Sequence, residues 1–199
     1  MGSEVLQIGP RVTCLPVIHG SGDFALVVRR VMLERAFDCV AVPLPPSFQE
    51  AVERGIEMLP SPAIVTQAEA PQFATEWSPQ SDTEERDDDE PAHSFVPIDP
   101  CQPVIAALRA AISEHIPRAY IDLETARFVP NTAVLPDAYA LKKVAIEQFA
   151  AAVLPAIARP QETQVRDRIV HMAQRLRQLE RKYQSILLVC SVLDWPWIR

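Results

Sequence analysis

Apolar positions along this chain fall into two kinds of run. Short, nearly continuous apolar runs are bounded by Gly, Pro, Asp and Ser, and read as strands at Arg11–Ile18, Asp38–Leu44, Ala63–Thr66, Ser94–Ile98, Arg118–Leu123 and Ser185–Leu193. Between them lie longer stretches with apolar residues three and four apart, which predict helices over Phe24–Ala36, Ser47–Leu59, Gln102–Ile116, Asp137–Leu154 and Gln164–Tyr183. Local signals punctuate these elements. Asp23 is placed to cap the first helix, and Ser47-Phe-Gln-Glu50 has the spacing of a capping box. Pro103 suits a first helical turn, Pro43 ends a ladder because it has no N–H to donate, and Pro155 ends or kinks the fourth helix. The alternation of strand and helix predicts an α/β fold, with a mostly parallel sheet of about six strands covered by helices.

Two helices differ in pattern. The first is apolar on most faces (Phe24, Leu26, Val27, Val28, Val31, Met32), which predicts burial with one wet stripe. The last carries Val165, Ile169, Met172, Leu176, Leu179 and Tyr183 on one face. Its other faces hold Arg166, Arg168, Arg175, Arg177, Arg181 and Lys182, which read as a solvated basic surface. SILLVCSVL (Ser185–Leu193) is apolar without alternation and reads as a strand buried on both faces. The chain stops shortly after it, so residues 1–199 read as one α/β domain forming the N-terminal part of a longer protein.

Gln67–His93 interrupts this order. It is rich in Glu, Asp, Ser, Gln and Pro, has no period, and cannot bury enough apolar surface to offset its ordering entropy. A disordered acidic insertion is expected there, with Phe73 and Trp77 as its apolar anchors. Eight acids and one base between Glu76 and Glu90 account for the whole net charge of −7. The remainder of the chain is therefore balanced, and no nucleic-acid partner is expected from it. No apolar run reaches the roughly 18–20 residues that a membrane span needs. Cys14, Cys39 and Cys190 lie in apolar runs and no C-x-x-C pair occurs, so the four cysteines read as free thiols of a cytoplasmic protein.

Several standard sites are excluded. The sequence has no P-loop, no G-x-G-x-x-G, no G-x-S-x-G and no H-E-x-x-H. What remains is the turn His19-Gly20-Ser21-Gly22, between the first strand and the first helix. Three readings stand side by side. Its amides can form an anion-binding nest at a helix start, His19 can act as a base or metal ligand, or the residues serve the turn alone. In a parallel sheet all carboxyl ends share one edge, where ligands bind. His19, Asp99, Asp122, Glu124 and Asp194 all follow strand ends. His19, Asp122 and Asp194 are thus the catalytic candidates, and His19, Gly20, Ser21, Gly22, Asp99 and Glu124 the ligand-binding ones. No metal site and no cofactor is assigned; the expected partner is an unidentified small molecule or protein.

The order of motifs resembles the superfamily that contains TraB, Tiki, ChaN and the erythromycin esterases. Leu15–Gly22 (LPVIHGSG) is similar to its first strand and turn, and Asp38–Pro45 (DCVAVPLP) to its second strand. FVPIDP with AYIDL resembles a middle segment, and Arg166–Ala173 (RDRIVHMA) before Ile186–Leu193 a late helix–strand pair. The resemblance implies a hydrolytic site of histidines and a glutamate, with a metal in the Tiki type. Here Val42-Pro43-Leu44 stands where the strand glutamate belongs, and CSVLDW where a second histidine belongs, so only His19 carries over. The expectation is a degenerate member, a non-catalytic binding or interaction domain. The alternative is a hydrolase, esterase or metal-dependent peptidase-like, with a site rebuilt around His19.

Overall fold

The computed structural model describes residues 6–69 and 93–199; the acidic run Glu76–Glu90, with Phe73 and Trp77, lies outside them. The chain is α/β. Four strands, β1 (Val12–Val17), β2 (Cys39–Val42), β5 (Arg118–Tyr120) and β6 (Ile186–Ser191), form one parallel sheet in the order β1-β6-β2-β5. β6 lies between β1 and β2, with Ile186–Cys190 wholly buried, as a run without polar alternation requires. β6 is the one strand of the sheet beside β1, whose other side carries, among the described residues, only an isolated bridge from Gln7 to Thr13, and this edge position accommodates Pro16. β2 stops one residue short of Pro43.

The expected six-stranded sheet is corrected to four strands plus a separate ribbon. β3 (Ala63–Ala68) and β4 (His93–Ile98) pair antiparallel with each other alone. Neither AIVTQA nor HSFVPI is apolar on both faces, and Ile64 and Phe95 are exposed, so neither strand can enter a doubly covered sheet. The ribbon also takes Gln67, Ala68 and His93 out of the expected insertion. Its base joins the core through Ile98. A Cβ on Gly55 of α2 (Gln49–Glu57) would lie 3.0 Å from Ile98 Cγ1, so glycine permits this close approach.

The helices depart from their expected faces in instructive ways. α1 (Gly22–Glu34) buries Phe24, Ala25 and Val28, while Leu26 and Leu33 are exposed; one face, not most, is covered. Ser21 takes the N-cap position and Asp23 falls in the first turn. α3 (Pro103–Ser113) is the more deeply buried partner of α1, with Pro103 opening it as expected. The fourth helix is shorter than predicted. A 3₁₀ turn at Ala138–Lys142, capped by the Asp137 carboxylate, precedes α4 (Ile146–Val153). Ile146, Phe149, Ala150 and Val153 make the regular inward stripe, and Val144 and Ala152 fall off it. α5 (Thr163–Leu179) buries Val165, Ile169, Met172 and Leu176. The chain closes on α6 (Trp195–Ile198), whose Trp195 is fully buried.

Cys14, Cys39 and Cys190 are buried and Cys101 is exposed, all unpaired. Among the described residues no helix is long and apolar enough to cross a membrane.

Candidate functional site

Because β1, β2, β5 and β6 run parallel, the segments that leave them emerge along one edge of the sheet. His19 follows β1 by two residues, Pro43 and Leu44 follow β2 directly, Asp122 follows β5 by two, and Asp194 follows β6 by three. All five line a single cavity of about 430 Å³. One wall comes from the β3–β4 ribbon through Phe95 and Val96, and others from Phe48 and Phe128. The result is an apolar vault over a polar floor, within the ~300–1,000 Å³ common for small-molecule sites.

The floor is built on an ion pair. Asp122 and Arg168 are 2% and 6% exposed. Arg168 Nε donates to both carboxylate oxygens at 3.1 Å, and Nη2 donates to Oδ2 at 2.5 Å. The guanidinium carbon lies 4.5 Å from the centre of the Phe128 ring, so an aromatic face covers the cation. Asp122 Oδ1 also accepts from the Leu123 amide at 2.8 Å. Burying two charges this deeply is tolerable only because each satisfies the other.

Arg168 was expected on the solvated basic face of α5, and the structure corrects that reading. It lies three residues after Val165 and four before Met172, so helical geometry puts it on the apolar face. That spacing was present in the sequence, but arginine on such a face reads as polar until a partner is known.

Asp194 is 6% exposed. Asn131 Nδ2 donates to its Oδ1 at 3.0 Å, while Oδ2 has no hydrogen-bond donor among the described residues and the residue lines the cavity. Burial pushes its carboxyl above the usual carboxylate range, against the pull of Asn131 and Arg168. His19 is exposed as a residue, yet the atoms packed around its ring at the cavity edge desolvate the imidazole. This desolvation, with the Arg168 cation, holds its imidazole below the ordinary 6.5.

The rim is acidic. Glu124 accepts from the Ser47 amide and the Ser47 hydroxyl, both at 2.8 Å. Ser47 thus secures a carboxylate across the cavity mouth, and α2 has no side-chain cap where a capping box was expected. Glu69, also in the lining, accepts from Ser94 Oγ at 2.5 Å and the Phe128 amide at 3.0 Å, bonds that hold its carboxyl below the usual range.

The sequence candidates therefore divide. His19, Asp122, Glu124 and Asp194 stand around one cavity; Asp99, Gly20, Ser21 and Gly22 do not. Asp99 accepts from the Cys101 amide at 2.7 Å and shapes the turn before α3. Gly20 has φ +75°, and its amide donates to Gln102 Oε1 at 2.8 Å, so the amide that a nest would offer is already taken. Among the described residues no three His, Cys, Asp or Glu side chains are grouped to hold a metal ion.

Comparison with protein-family models, with curated proteins and with solved structures gave no significant match to this chain.

Proposed function

We propose that this chain is a small-molecule binding domain whose ligand occupies the cavity at the carboxyl edge of the parallel sheet. The observation that carries this reading is the floor itself: a buried, mutually satisfied Asp122–Arg168 pair beside the partly unpartnered Asp194, beneath an apolar vault. Core packing alone gives no reason to set so polar a floor beneath a cavity. We read the chain as a diverged member of the TraB–Tiki–ChaN–erythromycin esterase superfamily on the order of its motifs, and as non-catalytic because Asp122 is committed to Arg168. With that carboxylate engaged, His19 makes no hydrogen bond to a carboxylate among the described residues, and acid–base chemistry needs such an orienting partner. Buried, unpaired thiols fit a reducing, cytoplasmic setting.

The test is amide chemical-shift mapping with a library of small fragments. Binders should perturb residues of the lining such as Leu44, Phe95 and Arg168, and Ala126→Trp, a change in the lining, should abolish the response. Fragments that perturb only other surfaces would overturn the proposal.

One observation favours a hydrolase as the second reading. His19 is biased towards the neutral base and Asp194 towards the protonated acid within one cavity, a division of roles that acid–base catalysis uses. Turnover of p-nitrophenyl esters that disappears in His19→Ala would establish it over the non-catalytic reading. No turnover above the His19→Ala background would dismiss it.

A further inference from the structure

The charges around the cavity narrow the ligand further, on the premise that the cavity is the binding site. Among the described lining residues, four carboxylates (Asp122, Asp194, Glu124 and Glu69) face a single cation, Arg168. That cation is spent: its guanidinium is forked onto Asp122 and covered by Phe128. Among these described lining residues an incoming anion would meet no uncommitted positive charge and three carboxylates left over from the pair. An incoming cation would find Asp194 Oδ2 at the floor and two fixed carboxylates at the rim. Phe95, Phe48 and Leu44 line the same space with apolar surface.

From this we infer that the cavity takes an organic amine: a protonated amino group set against Asp194, carried on an aryl or branched apolar body lying along Phe95 and Phe48. Asp194 is more than nine-tenths buried and has one oxygen without a donor among the described residues, so it supplies an acceptor to the cavity. Desolvation in the cavity strengthens an ion pair relative to one in water. The ammonium also offers the N–H donors that a carboxylate needs and a hydroxyl supplies less well. Aromatic walls add attraction for the same charge. The amine must keep its charge while Asp194 gives up its proton, so affinity rises with pH as Asp194 ionises. The charged groups that face Asp194 in this step are Asp122 and Arg168, with His19, Glu124 and Glu69 around the same cavity.

The experiment is calorimetric titration of the full chain with three ligands of matched shape: 2-phenylethylamine, 2-phenylethanol and phenylacetate. The amine should bind about tenfold or more tighter than the alcohol, and phenylacetate weakest. Asp194→Asn should bring the amine down to about the parent's affinity for the alcohol. Glu124→Gln, at the exposed rim, should weaken amine binding by about two- to threefold and less at high salt. Phenylacetate binding as tightly as the amine, or an amine affinity indifferent to Asp194→Asn, would overturn the amine assignment while leaving the cavity as a binding site. Failure of all three ligands to bind, together with no fragment response in the lining, would overturn the cavity reading as well.

Discussion

The Asp122–Arg168 pair should be the most mutation-sensitive polar feature of this protein. Asp122→Asn removes the anion and leaves a guanidinium that is 6% exposed without its hydrogen-bonded counter-charge; Arg168→Met strands the carboxylate at 2% exposure. Breaking a buried pair from one side costs about 3–5 kcal/mol, because the remaining charge must stay buried, unsatisfied, or drag water in. For a chain of this size one kcal/mol moves Tm by about 2–4 °C, so each single change should lower it by roughly 6–20 °C. The double variant Asp122→Asn/Arg168→Met strands neither charge. Asn retains the oxygen that accepts from the Leu123 amide, and Met fills the arginine's path beneath Phe128. It should fall within about 1–2 kcal/mol of the parent and be more stable than either single variant. Urea denaturation of all four proteins, followed by circular dichroism, closes the cycle. Single variants that each lose less than about 1 kcal/mol, or a double variant that loses the sum, would refute the claim that the two charges satisfy each other in the interior.

Two further outcomes concern pH. The Asp194 carboxyl is raised from 3.8 by burial, so the native state binds its proton more tightly than the unfolded state does, and stability falls as pH rises from about 3.8 through the raised native value. Asp194→Asn should therefore stabilise the protein at neutral pH and flatten this part of its stability–pH curve; denaturant midpoints between pH 4 and 7 measure both. Glu53 has the opposite sign. Arg118 donates to it twice, at 3.0 and 2.9 Å, and these bonds hold its carboxyl below 4.5, so its contribution is present above that value and lost as pH falls through the lowered one. Glu53→Gln should cost about 1 kcal/mol at pH 7 and little in acid, in the same assay.

The parallel strands were legible because they sit in runs that only a doubly covered sheet explains: ILLVCS could hardly be anything but a central strand. The ribbon was misread for the converse reason. Ala63–Thr66 was counted by its place in an alternating order, although its own faces are polar enough to say that it lies outside the sheet. The site was legible to the extent that strand ends predict it. His19, Asp122 and Asp194 come together because three parallel strands deliver them to one edge. Arg168 was hidden because its position within the helix argued for burial and its chemistry argued against; only the location of Asp122, 46 residues away in sequence, reconciles the two. Asp99 and Gly20 look like site residues in sequence, but the turn and the contact with Gln102 consume their hydrogen-bonding capacity. Ser47 was drawn away from its expected cap by a carboxylate from a distant loop, a choice that no local pattern could register.

Whether an imidazole, an ion pair and a buried carboxylate share one cavity is tested most directly by the titration of His19 itself. Its ring protons should be followed by NMR in the parent and in Asp122→Asn/Arg168→Met, with His19→Gln to assign the signal. In the parent the midpoint should lie below 6.5, and in the double variant it should move upward as the Arg168 cation is lost, with desolvation still holding it down. A parent midpoint at or above 6.5 that the double variant leaves unmoved would contradict the shared site.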